Sequence, residues 1–284
     1  CCQIQTKKKV FYFHVDHGLR KNSSKEANDI KIKLSKFGIK LKILVWKGPR
    51  PKSNIQSEAR EIRYKLLFDE ISKLKIKNIF LGHNKQDVIE NFFIRLTRGS
   101  GLSGCVSFNS FLNNFNNIKI CRPFLEVEKS DLLYITNKVF GFHISDPSNS
   151  NNYFKRARIR KLLNGLESEG FNTKKIKLTI NNLFLANESV LYFVNKNISG
   201  NTTFIKDQIV INKFFFDQPE EVVFRSLSLI LQRVSGKYYP ARGKKVSNLI
   251  KDIQNKNFKK STLSGCIIEK IDNTLMIYKE NQKK

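Results

Sequence analysis

Apolar residues over the first 140 positions alternate between two periods. Residues 10–15, 41–46 and 78–81 are short β-branched and aromatic runs, and each predicts a strand. Between them the period lengthens. Ala27, Ile30, Leu34 and Phe37 follow Ser24 and Glu26 at helical spacing and stop at Gly38, a C-cap signal. A second helical run passes through Ile55, Ala59, Ile62, Leu66 and Ile71, after a loop carrying Gly48, Pro49 and Pro51. A third helix is expected over residues 84–96. Strands alternating with helices predict an α/β fold, a Rossmann-like parallel sheet with helices on both faces. In such folds ligands bind at the carboxyl ends of the strands. Those ends carry Asp16-His17-Gly18 and Gly82-His83.

Residues 98–115 read as a Gly/Ser/Asn-rich loop, and 129–139 as a helix before the turn cluster Asp146-Pro147-Ser148-Asn149. A basic helix over 154–162 follows. Beyond about residue 165 the pattern changes to longer helical segments, then short strands between 203 and 216. A basic loop, Arg242-Gly243-Lys244-Lys245, and a β-like stretch over 275–278 close the chain. The expected division is 1–165 and 166–284, the second part a smaller helical or α+β region that could hold two subdomains. No internal repeat is present. The first strand pattern begins at residue 10 of a chain that starts with Cys1, which leads us to expect missing N-terminal material.

Composition narrows the partners. Hydrophobic residues make up 40% and charged residues 27%, which argues for a sizeable core and against global disorder. Lys and Arg total 52 against 24 Asp and Glu, a formal net charge of +28. That excess points to a polyanion, nucleic acid ahead of an anionic membrane. The chain is also rich in Asn, Ile and Phe, a bias that adds Lys without selecting for binding, so local Arg clusters carry more weight than the total. No stretch approaches the roughly 18 apolar residues of a spanning helix, and no membrane partner is expected. The start has no apolar h-region, so it does not read as a signal peptide. Five cysteines without CxxC or a Cys/His cluster read as reduced thiols in a cytosolic-type compartment.

The most specific segment runs from Leu81 to Phe93. His83, Asp87 and Glu90, spaced i, i+4, i+7, fall within an arc of about 60°. Val88, Ile89, Phe92, Phe93 and Leu96 gather opposite them as the expected buried face. Three ionisable side chains at a strand end suit metal-bridged phosphate chemistry, although a solvated helix face is the commoner meaning of such spacing. Gly99, Gly101 and Gly104 allow backbone N–H groups to approach an anion, or simply form a surface turn. Arg60 and Arg63 could hold phosphate or pair with Glu58 and Glu61 within the helix, and spacing alone favours the pairing. Lys155, Arg156, Arg158, Arg160 and Lys161 form the densest cationic cluster. Arg156 and Arg160 share a face, and Ile159 and Leu162 supply an apolar anchor, which suits phosphate-backbone contact as well as a solvated helix.

Taken together, these residues resemble the tRNA(Ile)-lysidine synthetase family, a branch of the PP-loop ATP pyrophosphatases. The matching pieces are Val15 to Arg20, Gln56 to Tyr64, Gly82-His83 with Asp87 and Glu90, Arg98 to Leu102 with Gly104, Arg122-Pro123-Phe124-Leu125, and Asp146 to Asn149 leading into Arg156 to Arg160. They occur in family order across roughly the first 160 residues. Tyr239 to Lys244 and Thr262 to Cys266 resemble the tail of some bacterial members, less specifically. The resemblance implies ATP and Mg²⁺ as cofactors. It also implies a ligase that adenylates the C2 carbonyl of the wobble cytidine in tRNA(Ile) with a CAU anticodon and joins free lysine to it. Carried residue by residue, it assigns His83, Asp87 and Glu90 to catalysis, with Asp87 and Glu90 on the metal. Asp16, His17, Arg60, Arg63, Gly99 and Gly101 go to ATP, and Lys155, Arg156, Arg158 and Arg160 to tRNA. A cytoplasmic or organelle-interior location follows, and a homodimer is compatible with it.

Two departures qualify the resemblance. The family's phosphate loop, Ser-Gly-Gly-x-Asp-Ser, does not occur in the 284 residues, and in the family it lies upstream of Val-Asp-His-Gly. Without it, residues 10–15 are expected to show an open strand edge, and these 284 residues alone to bind tRNA without catalysis. Gln86 also stands where the family usually has the first of two aspartates, so a metal role rests on Asp87 and Glu90. Two alternatives stay open: a non-catalytic tRNA-binding protein, and another PP-loop enzyme such as a tRNA thiolase. Cys105 and Cys121 lack the CxxC arrangement that typifies the thiolases.

Overall fold

The computed structural model describes residues 10–19, 22–49, 55–108, 112–115, 118–144, 155–206, 208–237 and 240–280. Arg20, Pro51, Asp146 to Asn149, Phe154 and Tyr239 lie outside the described residues. The chain divides into two compact units, residues 1–94 with 108–170, and residues 95–107 with 171–284.

In the first unit, β1 (Tyr12–Asp16) pairs in parallel with β2 (Leu41–Val45). Helices α1 (Ser23–Ser35) and α2 (Ile55–Lys73) take opposite faces of this pair. The two-residue side-chain period explains how. Phe13, Val15 and Leu44 join Leu67 and Ile71 of α2 in one apolar cluster. Asp16, on the alternate face, is hydrogen-bonded to Ser24 of α1. Gly38 closes α1 as its sequence position suggests. It adopts φ +71°, and the N–H of Ile39 reaches back to the carbonyl of Leu34.

A second sheet piece has the order β3 (Asn78–Phe80), β5 (Ile118–Cys121), β4 (Leu112–Phe115), with β3 and β5 parallel and β4 antiparallel. Ile79, Ile118 and Ile120 share the cluster that α2 makes with β1 and β2. The expected parallel α/β unit is present, but its sheet comes in two hydrogen-bonded pieces. Among the described residues β1 pairs only with β2 and β3 only with β5. The stretch over 98–115 is less irregular than expected, since it holds α4 (Leu102–Val106) and β4. The unit is completed by α3 (Lys85–Leu96, whose last residues group with the second unit), α5 (Lys129–Phe140) and α6 (Lys155–Glu167).

In the second unit, α7 (Thr173–Asn201) is capped by Asn172, whose side chain accepts the Lys175 N–H. An antiparallel sheet follows in the order β6 (Thr202–Ile205), β7 (Gln208–Ile211), β10 (Thr274–Lys279), β9 (Cys266–Ile271), β8 (Lys260–Leu263). Helices α8 (Glu220–Ser235) and α9 (Gly243–Gln254) contribute Leu227, Leu231, Val246 and Leu249 to a core shared with Ile211, Ile268 and Ile277. The basic segment from Arg242 is no loop: Arg242 is the N-cap residue of α9. Residues 213–216 form a 3₁₀ turn rather than strand. Cys105, Cys121 and Cys266 are free and buried. Among the described residues no helix is long and apolar enough to cross a membrane.

Candidate phosphate-binding site

Parallel pairing of β3 with β5 brings two carboxyl ends together. The chain after β3 stays tied to the chain after β5, because Leu81 N–H donates to Cys121 and Lys85 N–H to Val127. His83 and Arg122 leave the sheet from these two ends. Asn84 and Asp87 then start α3 with a reciprocal cap. The Asn84 N–H donates to Asp87 Oδ2 at 3.0 Å, and the Asp87 N–H donates to Asn84 Oδ1 at 3.2 Å.

The hub of the site is Phe108, which is 4% exposed. The His83 ring meets it edge-on at 4.7 Å between centroids. The Arg122 guanidinium lies 5.0 Å from its centroid, and that of Arg60 5.9 Å from it and 5.2 Å from the Tyr64 ring. Arg63, one turn beyond Arg60, has Arg60 and Arg156 as like-charged neighbours. His83 therefore feels three cations, Arg122, Arg60 and Arg156, against one carboxylate, Asp87. Burial above all pushes the His83 imidazole down to about 4, with Asp87 pulling upward and the three arginines adding to the lowering, so it is neutral at pH 7. Its Nδ1 is buried with no hydrogen-bond partner among the described residues.

His17 has a similar setting. Burial and then Arg63 lower its pKa, against a hydrogen bond to the Ala59 backbone and the charge of Asp16. Its Nε2 is also buried without a partner among the described residues. Guanidinium groups gathered around two neutral imidazoles suit an anion, and oligophosphate would match their forked donors.

Other expected site residues have different work. Asp16 is turned toward α1, where it accepts from the Gly18 N–H at 2.9 Å and the Ser24 hydroxyl at 2.6 Å. Burial raises its pKa, but hydrogen bonds from Ser24, Gly18 and Ser23, with the charge of His14, outweigh it and lower it. With Ser24, Asn28, Lys31 and β2 it lines a cleft of about 470 Å³ that does not include His83.

Glu90 needs a correction. It does not lie on an open helix face but is fully buried, because α6 covers that side of α3. Arg160 holds both of its oxygens, Nε to Oε1 at 2.5 Å and Nη2 to Oε2 at 3.3 Å. Glu90 is thus not available to a metal, and Arg160 commits its Nε and Nη2 to Glu90. Asp87 spends one oxygen on the cap of α3. Among the described residues no group of three His, Cys, Asp or Glu side chains is arranged to hold a metal ion. The pair Asp87 and Glu90 does not fit Mg²⁺.

Arg156 and Arg160 do share a face of α6, but it looks inward, to His83 and Glu90. Arg158 is exposed and, with Lys161 and Leu162, lines a groove of about 660 Å³; Lys155 is half-buried. Leu162 is 49% exposed and is no anchor, whereas Ala157 and Ile159 are buried. Leu96 is likewise exposed.

Gly99 adopts φ +67° and donates its N–H to the Leu96 carbonyl, so it ends α3 instead of offering that N–H to a phosphate. Gly101 is the N-cap residue of α4, and its carbonyl accepts from Cys105. Both glycines belong to the second unit. Two site residues had no role in the sequence reading. Arg122 sat within the quoted Arg-Pro-Phe-Leu piece without an assignment, and Phe108, in a Gly/Ser/Asn-rich stretch, gave no signal.

A parallel α/β unit with cations gathered at its strand ends defines a class of nucleotide-handling folds. Residues 2–166 match the PP-loop domain model, and the chain belongs to the PP-loop family. More particularly, it is similar to curated tRNA(Ile)-lysidine synthases. It is 30% identical to that of Wolbachia sp. subsp. Brugia malayi (strain TRS) over 95% of this chain and 63% of the relative. It is 30% identical to that of Orientia tsutsugamushi (strain Boryong) over 97% and 64%. It is 33% identical to that of Rickettsia bellii (strain OSU 85-389) over 97% and 64%. The chain thus spans a little under two thirds of the length of these relatives. A solved U34-tRNA thiolase from Methanococcus maripaludis overlaps 60% of each chain at a TM-score of 0.48 and 20% identity.

Proposed function

We propose that this chain acts in ATP-dependent lysidine formation, joining free lysine to C2 of the wobble cytidine of tRNA(Ile) with a CAU anticodon. The observation that carries the reading is the convergence of Arg60, Arg122 and Arg156 on the neutral His83, with Arg63 beside them. The similarity to tRNA(Ile)-lysidine synthases supports the same substrates.

In this reaction the cytidine C2 oxygen attacks the α-phosphorus of ATP and pyrophosphate leaves. The lysine ε-amine then adds at C2, loses a proton, and AMP departs with the former carbonyl oxygen. The guanidinium groups hold the phosphates and stabilise charge that builds on them. Neutral His83, with one nitrogen able to donate and one to accept, can hydrogen-bond the reacting groups without repelling a cationic lysine. Asp87 orients the start of α3, and Glu90 secures α6 through Arg160. No step is assigned to Mg²⁺. Arg158, Lys161 and Lys155 are the α6 cations we assign to the tRNA backbone. A tRNA substrate implies a cytoplasmic or organelle-interior setting.

The test is AMP formation by the full gene product. It is expected only when tRNA, lysine and ATP are all present, with lysidine appearing in the tRNA. Retained tRNA binding with no AMP from the full product would favour a tRNA-binding protein without catalysis instead.

A further inference from the structure

We infer that Phe108 is a positioning residue whose ring holds Arg60, Arg122 and His83 in the arrangement that receives a phosphate chain. The inference rests on the reading of this cluster as the phosphate site. At 4% exposure Phe108 cannot stack on an incoming base. Its partners are therefore those already around it, the guanidinium groups at 5.0 and 5.9 Å and the imidazole at 4.7 Å.

The negative faces of an aromatic ring attract guanidinium groups, and a partner meeting it edge-on completes the packing. Arg60 and Arg122 repel each other in the absence of an anion. A ring shared between them offsets that repulsion and keeps the planar donors converged before the ligand arrives. An aliphatic side chain of similar bulk fills the space but supplies no such attraction. Preorganisation of this kind shows as affinity for the anion, because less has to be ordered on binding.

The experiment is calorimetric ATP binding by the full chain, comparing wild type, Phe108→Leu, Phe108→Tyr, Arg122→Ala and the Phe108→Leu/Arg122→Ala double variant. Phe108→Leu is expected to weaken ATP about tenfold, equivalent to about 1.4 kcal/mol. Phe108→Tyr keeps the ring and is expected to bind within about twofold of wild type. The double variant should lose less than the product of the two single losses, since Phe108 acts partly through Arg122. A purely structural role would give losses that multiply. Where Leu loosens the fold, seen in the unfolding midpoint, Phe108→Met repeats the test with more bulk and no ring. If Arg122→Ala loses ATP while Phe108→Leu does not, the inference falls and the phosphate reading stands. If folded wild type does not bind ATP, both fall.

Discussion

Glu90 and Arg160 show how one residue pair can reverse a reading made from helical spacing. Helix geometry puts Glu90 beside Asp87, but the Glu90 side chain is only 1% exposed, against 24% for Arg160. Removing either partner strands the other, and the deeper charge is the costlier one to strand. Arg160→Ala should therefore destabilise the fold by about 3–5 kcal/mol and Glu90→Gln by less. Denaturant unfolding of the two variants checks the order. Equal costs would mean that the pair is not the buried contact described here. At the same scale, Arg122 and Phe108 escaped detection because burial and ring contacts depend on what the fold brings beside a residue.

Local capping governs where the site helix begins. Asn84→Ala removes the acceptor for the Asp87 N–H and should cost about 1 kcal/mol. A matched drop in ATP affinity is expected, since His83 immediately precedes the cap; thermal unfolding and ATP titration of the same variant measure the two effects. The strands and helices of the first 140 residues were legible because each buries one face, which leaves a period of two or of 3.6 in the apolar positions. The second unit was less so. Its β8–β9 hairpin turns on Ser264 and Gly265, with φ +60° and +82°, a two-residue turn that composition alone does not announce. The α9 start was misread as a loop because Arg, Gly and Lys carry no apolar period. The inward direction of the basic face of α6 was not legible either, since Arg156 and Arg160 look the same in sequence whether they meet solvent or carboxylate.

A net charge of +28 gives the whole molecule a long-range attraction for polyanions, but only cations that reach phosphate contribute to the salt dependence of nucleic-acid binding. Changing Lys155, Arg158 and Lys161 to Ala should lower the slope of log affinity against log salt by about 2.1–2.7. Arg160→Ala should instead act through stability. Filter binding at several salt concentrations separates the two, and an unchanged slope in the triple variant would move the RNA contact off α6. The proposed seat of the ATP phosphates lies among Arg60, Arg63, Arg122 and Arg156 beside His83. Burial holds His83 down at about 4 against the pull of Asp87, and the repulsion of Arg122, Arg60 and Arg156 adds to it. Bound phosphates cancel that repulsion and add negative charge, so they favour the imidazolium. The most direct measurement is the titration of the His83 imidazole by NMR, with and without saturating ATP. The account predicts that ATP moves the midpoint upward from about 4. A midpoint that does not move while ATP is bound would contradict it.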